Sequence, residues 1–238
     1  LPRTILNNAF GGADQEVLVG QASFGPDGAV TLVVDGETLN FVDGIATRDD
    51  GTTVEIGEVA IFEGVDVRAF QILAHGDFGG RSDQIEFAHF VVGAETNPDV
   101  IAALSGNVNY TGILEGLLFN VAGSGGASGV VLGDIALSAA FGTGTVSGDV
   151  VLFTDASAIN LTLAPTAITG NGFTGDLTAV SCDAGTCTSN SEIGGVFTGE
   201  TAFGVGGVLD LDISIMDGED NTTDFIGNAG FIAFEPDG

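Results

Sequence analysis

The chain has 238 residues, of which 44% are hydrophobic, enough to bury a core in one large domain or two smaller ones. Its 33 acidic residues are opposed by only four arginines and no lysine, so the formal net charge at pH 7 is -29. Such a surface repels the phosphate backbone of nucleic acids and the face of an anionic membrane. An acidic surface of this kind is typical of a protein that stays hydrated in salt or seawater, where ions screen the repulsion between its charges over about 10 Å or less.

Most of the chain alternates apolar residues with small or polar ones, which is the pattern of half-buried β-strands. The 39 glycines, many of them in DG, GG and NG steps, supply the positive φ angles that tight hairpins need. We therefore predict an all-β, antiparallel fold that begins with a small sheet of five or six strands over residues 10–94. The clearest strand segments in that part are "AVTLVVDGETLNFVDG", "TTVEIGEVAIFEG" and "QIEFAHFVV".

Both histidines of the chain lie in this first part, in "ILAHGDFGG" and "EFAHFVV". Strict alternation puts Phe87 and His89 on one strand face among apolar neighbours. A haem site requires such an imidazole in a hydrophobic shell, and Phe87 could pack against a porphyrin. His75 is the second candidate axial ligand. The alternatives are a buried His89 that is hydrogen-bonded to a backbone carbonyl, and a turn residue in the case of His75.

The segment "ETNPDVIAALSG" (95–106) breaks the strand pattern, because Pro98 and a short apolar run indicate a connector with one helical turn. We place the domain boundary here, between an N-terminal β handle domain (1–104) and a C-terminal domain (105–238). The second domain has the size of a closed eight-stranded up-and-down β-barrel. We predict its strands at 107–115, 117–122, 130–141, 145–154, 158–163, 166–179, 194–203 and 206–214, with 223–234 pairing last or splitting one of these.

The only cysteines, Cys182 and Cys187, lie in the polar segment "SCDAGTCTSN". Four residues between them allow a disulfide across one hairpin tip, which implies an oxidising compartment. A ring this small stabilises the fold by roughly 2 kcal/mol. The alternative is a metal-binding or redox pair, although the spacing is not that of CxxC and no histidine lies nearby.

The segment "MDGEDNTTDF" (216–225) is the strongest candidate for a metal site, because Ca²⁺ prefers oxygen ligands from flexible loops. Its order does not match an EF-hand loop, and the alternative is a solvated acidic hairpin tip. The candidate ligands are Asp217, Glu219, Asp220 and Asp224.

Catalytic motifs are sparse in this sequence. It contains no G-x-S-x-G elbow, and a P-loop requires a lysine that the chain lacks. Neither histidine is tied by sequence to a serine or cysteine nucleophile. We therefore interpret the chain as a non-enzyme. No window of about 18 apolar residues and no N-terminal signal pattern is present, so we also interpret it as mature and soluble.

The residues of the connector carry a resemblance to a known family. "FAHFVVGAETNPDVIAALSGNVNYTGILEG" (87–116) is similar to the join between handle and barrel in the transferrin-binding protein B-like, or haemophilin-like, surface and secreted proteins. "GTGTVSGDVVLF", "ITGNGFTGDLT" and "GVFTGETAFGVGGVL" resemble barrel strands of that family, and the resemblance covers roughly residues 85–238. It implies an extracellular or outer-membrane-surface protein of a Gram-negative bacterium, with any membrane attachment only through a lipid anchor that this sequence lacks.

The resemblance also implies a function, because the family captures haem or iron-carrying host proteins as nutrients. The first hypothesis is therefore a capture protein whose partner is haem, another small hydrophobic ligand or a protein. The second hypothesis is a structural or adhesive surface component whose acidic barrels pack together. An exposed apolar patch or pocket near the handle would favour capture, because self-packing does not need one.

Overall fold

A computed structural model describes the backbone of residues 3–10, 15–24, 30–34, 37–48, 51, 53–61, 67–78, 81–120, 128–154, 158–219 and 221–236. Before residue 30, and again over 56–93, the description covers the backbone and strand pairing only. The fold is all-β, with one short helix between two antiparallel sheets.

The first sheet, called the handle sheet here, contains eight strands in the order β4-β3-β2-β1-β8-β7-β6-β5. Strands β4 and β5 are joined by a tight turn in which Val42 and Ile45 exchange backbone hydrogen bonds. Asp43 and Gly44 have φ angles of 51° and 80°, as a two-residue type I′ hairpin turn requires. The strands are β1 Arg3–Phe10, β2 Gln15–Phe24, β3 Val30–Val34, β4 Glu37–Phe41, β5 Ile45–Thr47, β6 Thr53–Ile61, β7 Val67–Phe78 and β8 Arg81–Gly93.

The prediction of five or six strands over 10–94 was therefore too low. The first strand, β1, begins at Arg3 and carries asparagines in place of a clean alternation, so its pattern is weak. The apolar segment "AVTLVVDGETLNFVDG" contains two strands, β3 and β4, that pair antiparallel.

The predicted helical turn is present as α1, Pro98–Ala103. Asn97 caps it by accepting a hydrogen bond from the Asp99 backbone N–H at 2.9 Å, and Pro98 occupies the first turn, where its missing N–H costs nothing. Leu104 caps the C-terminus of the helix in an extended conformation, and β9 begins three residues later at Asn107.

The second sheet closes into the predicted eight-stranded barrel, because its last strand pairs with its first. Two short strands, β14 and β15, both pair with β16 in one continuous register, Ser189 opposite Ile213 and Glu192 opposite Asp210. Together β14 and β15 therefore occupy the position of one strand, which makes the barrel eight-stranded. The strands are β9 Asn107–Asn120, β10 Ser128–Ala140, β11 Thr145–Phe153, β12 Ala158–Ala167, β13 Gly172–Cys182, β14 Thr186–Ser189, β15 Ser191–Thr198, β16 Gly204–Met216 and β17 Thr222–Phe234.

Two of the predicted strand divisions were wrong. The predicted strands 107–115 and 117–122 are not separate, because β9 runs unbroken over Asn107–Asn120, and 166–179 divides between β12 and β13. Gly116 does not interrupt β9, because it points into the barrel where an added Cβ would lie 2.2 Å from the Asn228 carbonyl oxygen. A glycine at this position permits the two strands to approach closely and does not end the strand.

Candidate binding surface

The barrel interior is filled by side chains. Its inward-facing positions are almost completely buried, and an aromatic cluster closes one end. Phe197 lies at the centre of that cluster, with ring centroids 6.0 Å from Tyr110, 5.2 Å from Phe141 and 6.2 Å from Phe173. Barrels of eight strands are just wide enough for such filling. A ligand of this domain must therefore bind outside the lumen described here.

Tyr110 fixes the loop that follows β15. Its hydroxyl donates a hydrogen bond to the Ala202 carbonyl oxygen at 2.6 Å, and both residues are buried. Burial, helped by the negative charge of Glu235, raises the pKa of Tyr110, so the phenol stays protonated and keeps its donor. Ala202 has a φ angle of 60°, which an L-residue adopts only at a cost, and the hydrogen bond helps to hold it there.

The connector is attached to the rim of the barrel by hydrogen bonds. Thr96 donates its backbone N–H to the Phe197 carbonyl at 2.9 Å and its hydroxyl to the Gly199 carbonyl at 2.7 Å. Glu95 accepts a hydrogen bond from the side-chain amide of Asn171 at 2.7 Å. The segment that leads out of the handle sheet is therefore held against the rim of the barrel, beside the end of β15.

The proposed haem residues lie on two adjacent strands of the handle sheet. His89 in β8 is opposite Gln71 in β7, and His75 in β7 is opposite Ile85 in β8. The two histidines are thus separated by four residue pairs along the ladder, about 13 Å at the usual strand rise. Phe87 precedes His89 on the same strand, and the side chains of all three lie outside the described part, so haem ligation stays a prediction.

The acidic segment after β16 forms a turn closed by its own hydrogen bonds. The Asp217 carboxylate accepts from the Glu219 and Asn221 backbone N–H groups at 2.8 and 3.0 Å, and also from the Asn221 amide. These bonds, led by the Asn221 side chain, lower the pKa of Asp217. Asp224 instead accepts from the Ser214 hydroxyl at 2.6 Å.

Asp220, the remaining candidate calcium ligand, lies outside the described residues. Among the residues that are described, no three histidine, cysteine, aspartate or glutamate side chains cluster closely enough to hold a metal ion. Calcium binding by this segment stays a prediction.

The predicted disulfide is present. Cys182 and Cys187 are bonded across the hairpin between β13 and β14, and both pack against the barrel core. Gly185 in this hairpin has a φ angle of 150° and lies so close to Met216 that an added Cβ would be 2.1 Å from its carbonyl oxygen. The disulfide closes the tip of this hairpin, which lies at the end of the barrel away from the connector.

One part of the barrel's outer face is covered by the handle sheet. Strands β1, β7 and β8 pack on β16 and β17, so outward-facing residues there are buried. Val208, Asn228 and Ile232 are each at most 1% exposed. Sequence reasoning missed this interface, although the run "NAGFIAF" in β17, apolar on both faces, was a signal for it.

Asp210 lies at the edge of this covered face. It is opposite Glu192 on β15 and Asn228 on β17, and it is half-buried. Burial, together with the negative charges of Glu192 and Asp212, raises the pKa of Asp210 to about 7. The acidic outer face of β16 is therefore only partly solvated at Asp210.

Away from the handle, the outer face of β9, β10 and β11 exposes four large apolar side chains, called the apolar strip here. Leu132 and Phe153 are direct cross-strand partners, and Ile113 and Val130 lie one diagonal step away. Each is about half exposed, from 46% for Phe153 to 58% for Val130. Single exposed apolar residues are normal on a protein surface, whereas a contiguous group of them indicates an interaction surface.

No protein-family model matches the chain, and no curated protein matches it. Solved structures do resemble it. Intact two-lobed Ap-TbpB is 16% identical with a TM-score of 0.49, over 96% of this chain and 46% of that one. Isotype 1 transferrin binding protein B of Neisseria meningitidis is 18% identical with a TM-score of 0.47, over 97% and 43%.

A third similar structure is HpuA from Kingella denitrificans in complex with human haemoglobin, which is 12% identical with a TM-score of 0.42, over 98% of this chain and 86% of that one. The chain spans less than half of the length of the two TbpB chains it matches. No described helix has the length and hydropathy needed to cross a membrane.

Proposed function

We propose that this chain is a non-enzymatic binding protein, secreted or exposed at the cell surface, that captures haem or an iron-carrying protein as a nutrient. The observation that carries the proposal is the contrast between a filled barrel and an apolar strip on its outer face. Because the lumen holds core side chains, binding falls to the outer face and to the handle sheet. A self-packing structural component would not need an exposed apolar group on so acidic a surface.

The names of the similar structures suggest which partners to test first. The TbpB proteins are named for binding transferrin, and HpuA was solved with human haemoglobin. Those properties belong to those proteins. For this chain they select two probes, transferrin and haemoglobin, and a location outside the cytoplasm, which also agrees with the disulfide.

The haem form of the proposal assigns His89 as the iron ligand, with Phe87 against the porphyrin and His75 as second axial ligand. Titration with haemin is expected to give a sharpened Soret band that saturates at one equivalent and is lost in His89→Ala. His75→Ala tests the second axial position separately, because it removes the other histidine of the chain. It should alter the position of the band while leaving the stoichiometry at one.

A broad spectrum without saturation would end the haem form and leave the protein partner. Biolayer interferometry with immobilised transferrin and haemoglobin then tests that form directly. Concentration-dependent assembly in sedimentation velocity, without binding to haemin or to either protein, would instead favour the alternative of a structural or adhesive surface component.

A further inference from the structure

We propose that the apolar strip is a docking surface for a protein segment that presents apolar side chains flanked by lysine or arginine. The inference rests on the proposed function as a binding protein, and it assigns both the place of contact and the chemistry of the partner. The strip lies on regular strands of the barrel, so its geometry is fixed before binding.

Acidic residues alternate with the strip in the strand register. Glu115 is directly opposite Leu132, and Asp134 is directly opposite Ile113. Residues paired in this way have Cβ atoms about 5 Å apart, so each carboxylate borders an apolar side chain. A partner that covers Leu132 must approach Glu115 as well, and a basic residue at that point pairs with the carboxylate and also offsets its negative charge.

The strip is also continuous with an interface that already exists in the molecule. Ile113 on β9 is paired with Ile232 on β17, which is 1% exposed because the handle sheet covers it. One apolar row therefore runs from beneath the handle sheet onto the open face. A partner bound to the strip would cover the part of this apolar row that the handle sheet leaves open.

Charge and area argue against a second copy of this chain as the occupant. Two copies would each bring a net charge of -29 and would place Glu115 and Asp134 against like charges. Four half-exposed side chains present on the order of a few hundred Å², less than the roughly 800 Å² per partner of a standard stable interface. A smaller, oppositely charged segment matches both properties.

The test uses a fluorescein-labelled amphipathic helical peptide of leucine and lysine, with binding measured by fluorescence anisotropy. Val130→Asp and Val180→Asp are a matched pair, because both valines are exposed, at 58% and 65%, and both variants gain one negative charge. Val180 lies on β13, outside the strip. General attraction of a cationic peptide is therefore equal in the two variants.

We expect saturable binding to the wild type, binding about tenfold weaker in Val130→Asp, and unchanged binding in Val180→Asp. Leu132→Asp should repeat the loss, and thermal midpoints equal to that of the wild type show that the variants are folded. Equal affinity in both valine variants, no saturable binding, or binding to neutral phosphatidylcholine vesicles in preference to the peptide would overturn the inference. If haemin or haemoglobin still binds in that case, the proposed function stands and only this surface assignment is lost.

Discussion

Replacing Gly112 with alanine is expected to destabilise the barrel at the seam where its last strand meets its first. Gly112 is inward-facing on β9 and is paired with Ala233 on β17. A Cβ at this position would lie 1.9 Å from the Ile232 carbonyl oxygen and 2.5 Å from the Ala233 Cα. Ordinary contacts begin at 3.4 Å, and both neighbours are backbone atoms, so the methyl group forces the two strands apart.

The size of the effect follows from two opposed terms. Overpacking of this kind costs roughly 1–3 kcal/mol, and the lower entropy of the unfolded alanine chain returns about 0.4–1 kcal/mol. The middle values of these two ranges leave a net loss of about 1 kcal/mol, which lowers the melting temperature of a chain of this size by roughly 2–4 °C. Gly129→Ala on β10 is the matched control, because nothing lies within 4 Å of its added Cβ. That variant should be neutral or slightly stabilised.

Urea unfolding followed by far-ultraviolet circular dichroism measures both variants under the same conditions. The difference between their midpoints isolates the steric term, since the change in unfolded-chain entropy is shared. A Gly112→Ala protein as stable as Gly129→Ala would show that β9 and β17 do not approach this closely, and the closure geometry described above would be wrong.

Four further outcomes are expected. Because the pKa of Asp210 is raised to about 7, the folded state binds a proton more tightly than the unfolded state. The free energy of unfolding should therefore fall as the pH rises from about 4 to 7, by roughly half of the 1.4 kcal/mol per pH unit expected for a fully buried group. Asp210→Asn should flatten that slope in urea titrations. The double variant Cys182→Ser with Cys187→Ser should lose about 2 kcal/mol in denaturant unfolding, and equality with the wild type would remove the stabilising role of the ring. Molar sodium chloride should raise the melting temperature by screening the charge of -29; a flat response would refute the argument for a salty habitat. The calcium hypothesis predicts a melting temperature that rises in millimolar calcium, returns with chelator and no longer responds in Asp224→Asn, whereas no shift would leave a turn held only by the hydrogen bonds of Asp217.

The barrel and the disulfide were predictable from sequence because their signals are local. Strand alternation in β16 is decided by neighbouring residues, and Cys182 and Cys187 are only five positions apart. The prediction wrongly divided β9 at Gly116, because a glycine that permits close approach and a glycine that ends a strand have the same letter. Only the pairing of Gly116 with Ala229 distinguishes them.

The site was less predictable, because it depends on contacts between distant parts of the chain. Val130 and Ile113 are exposed while Ile232 is buried on the same outer face, and the difference is the handle sheet above β17. The pKa of Asp210 likewise depends first on its burial and then on Glu192, which the strand register brings opposite it. The local residue pattern specifies neither relation, because both depend on which strands and sheets meet in the fold.

The pairing of β17 with β9 also constrains how the protein is made. Leu114, near the start of the barrel sequence, finds its partner Phe231 only when the final strand has been synthesised. Until then β9 and β16 are open edges with exposed backbone donors and acceptors, which can pair with other chains. A chain that emerges progressively from a ribosome or translocation pore therefore cannot close the barrel until β17 has emerged. Any part of the sheet that forms before that point exposes these edges.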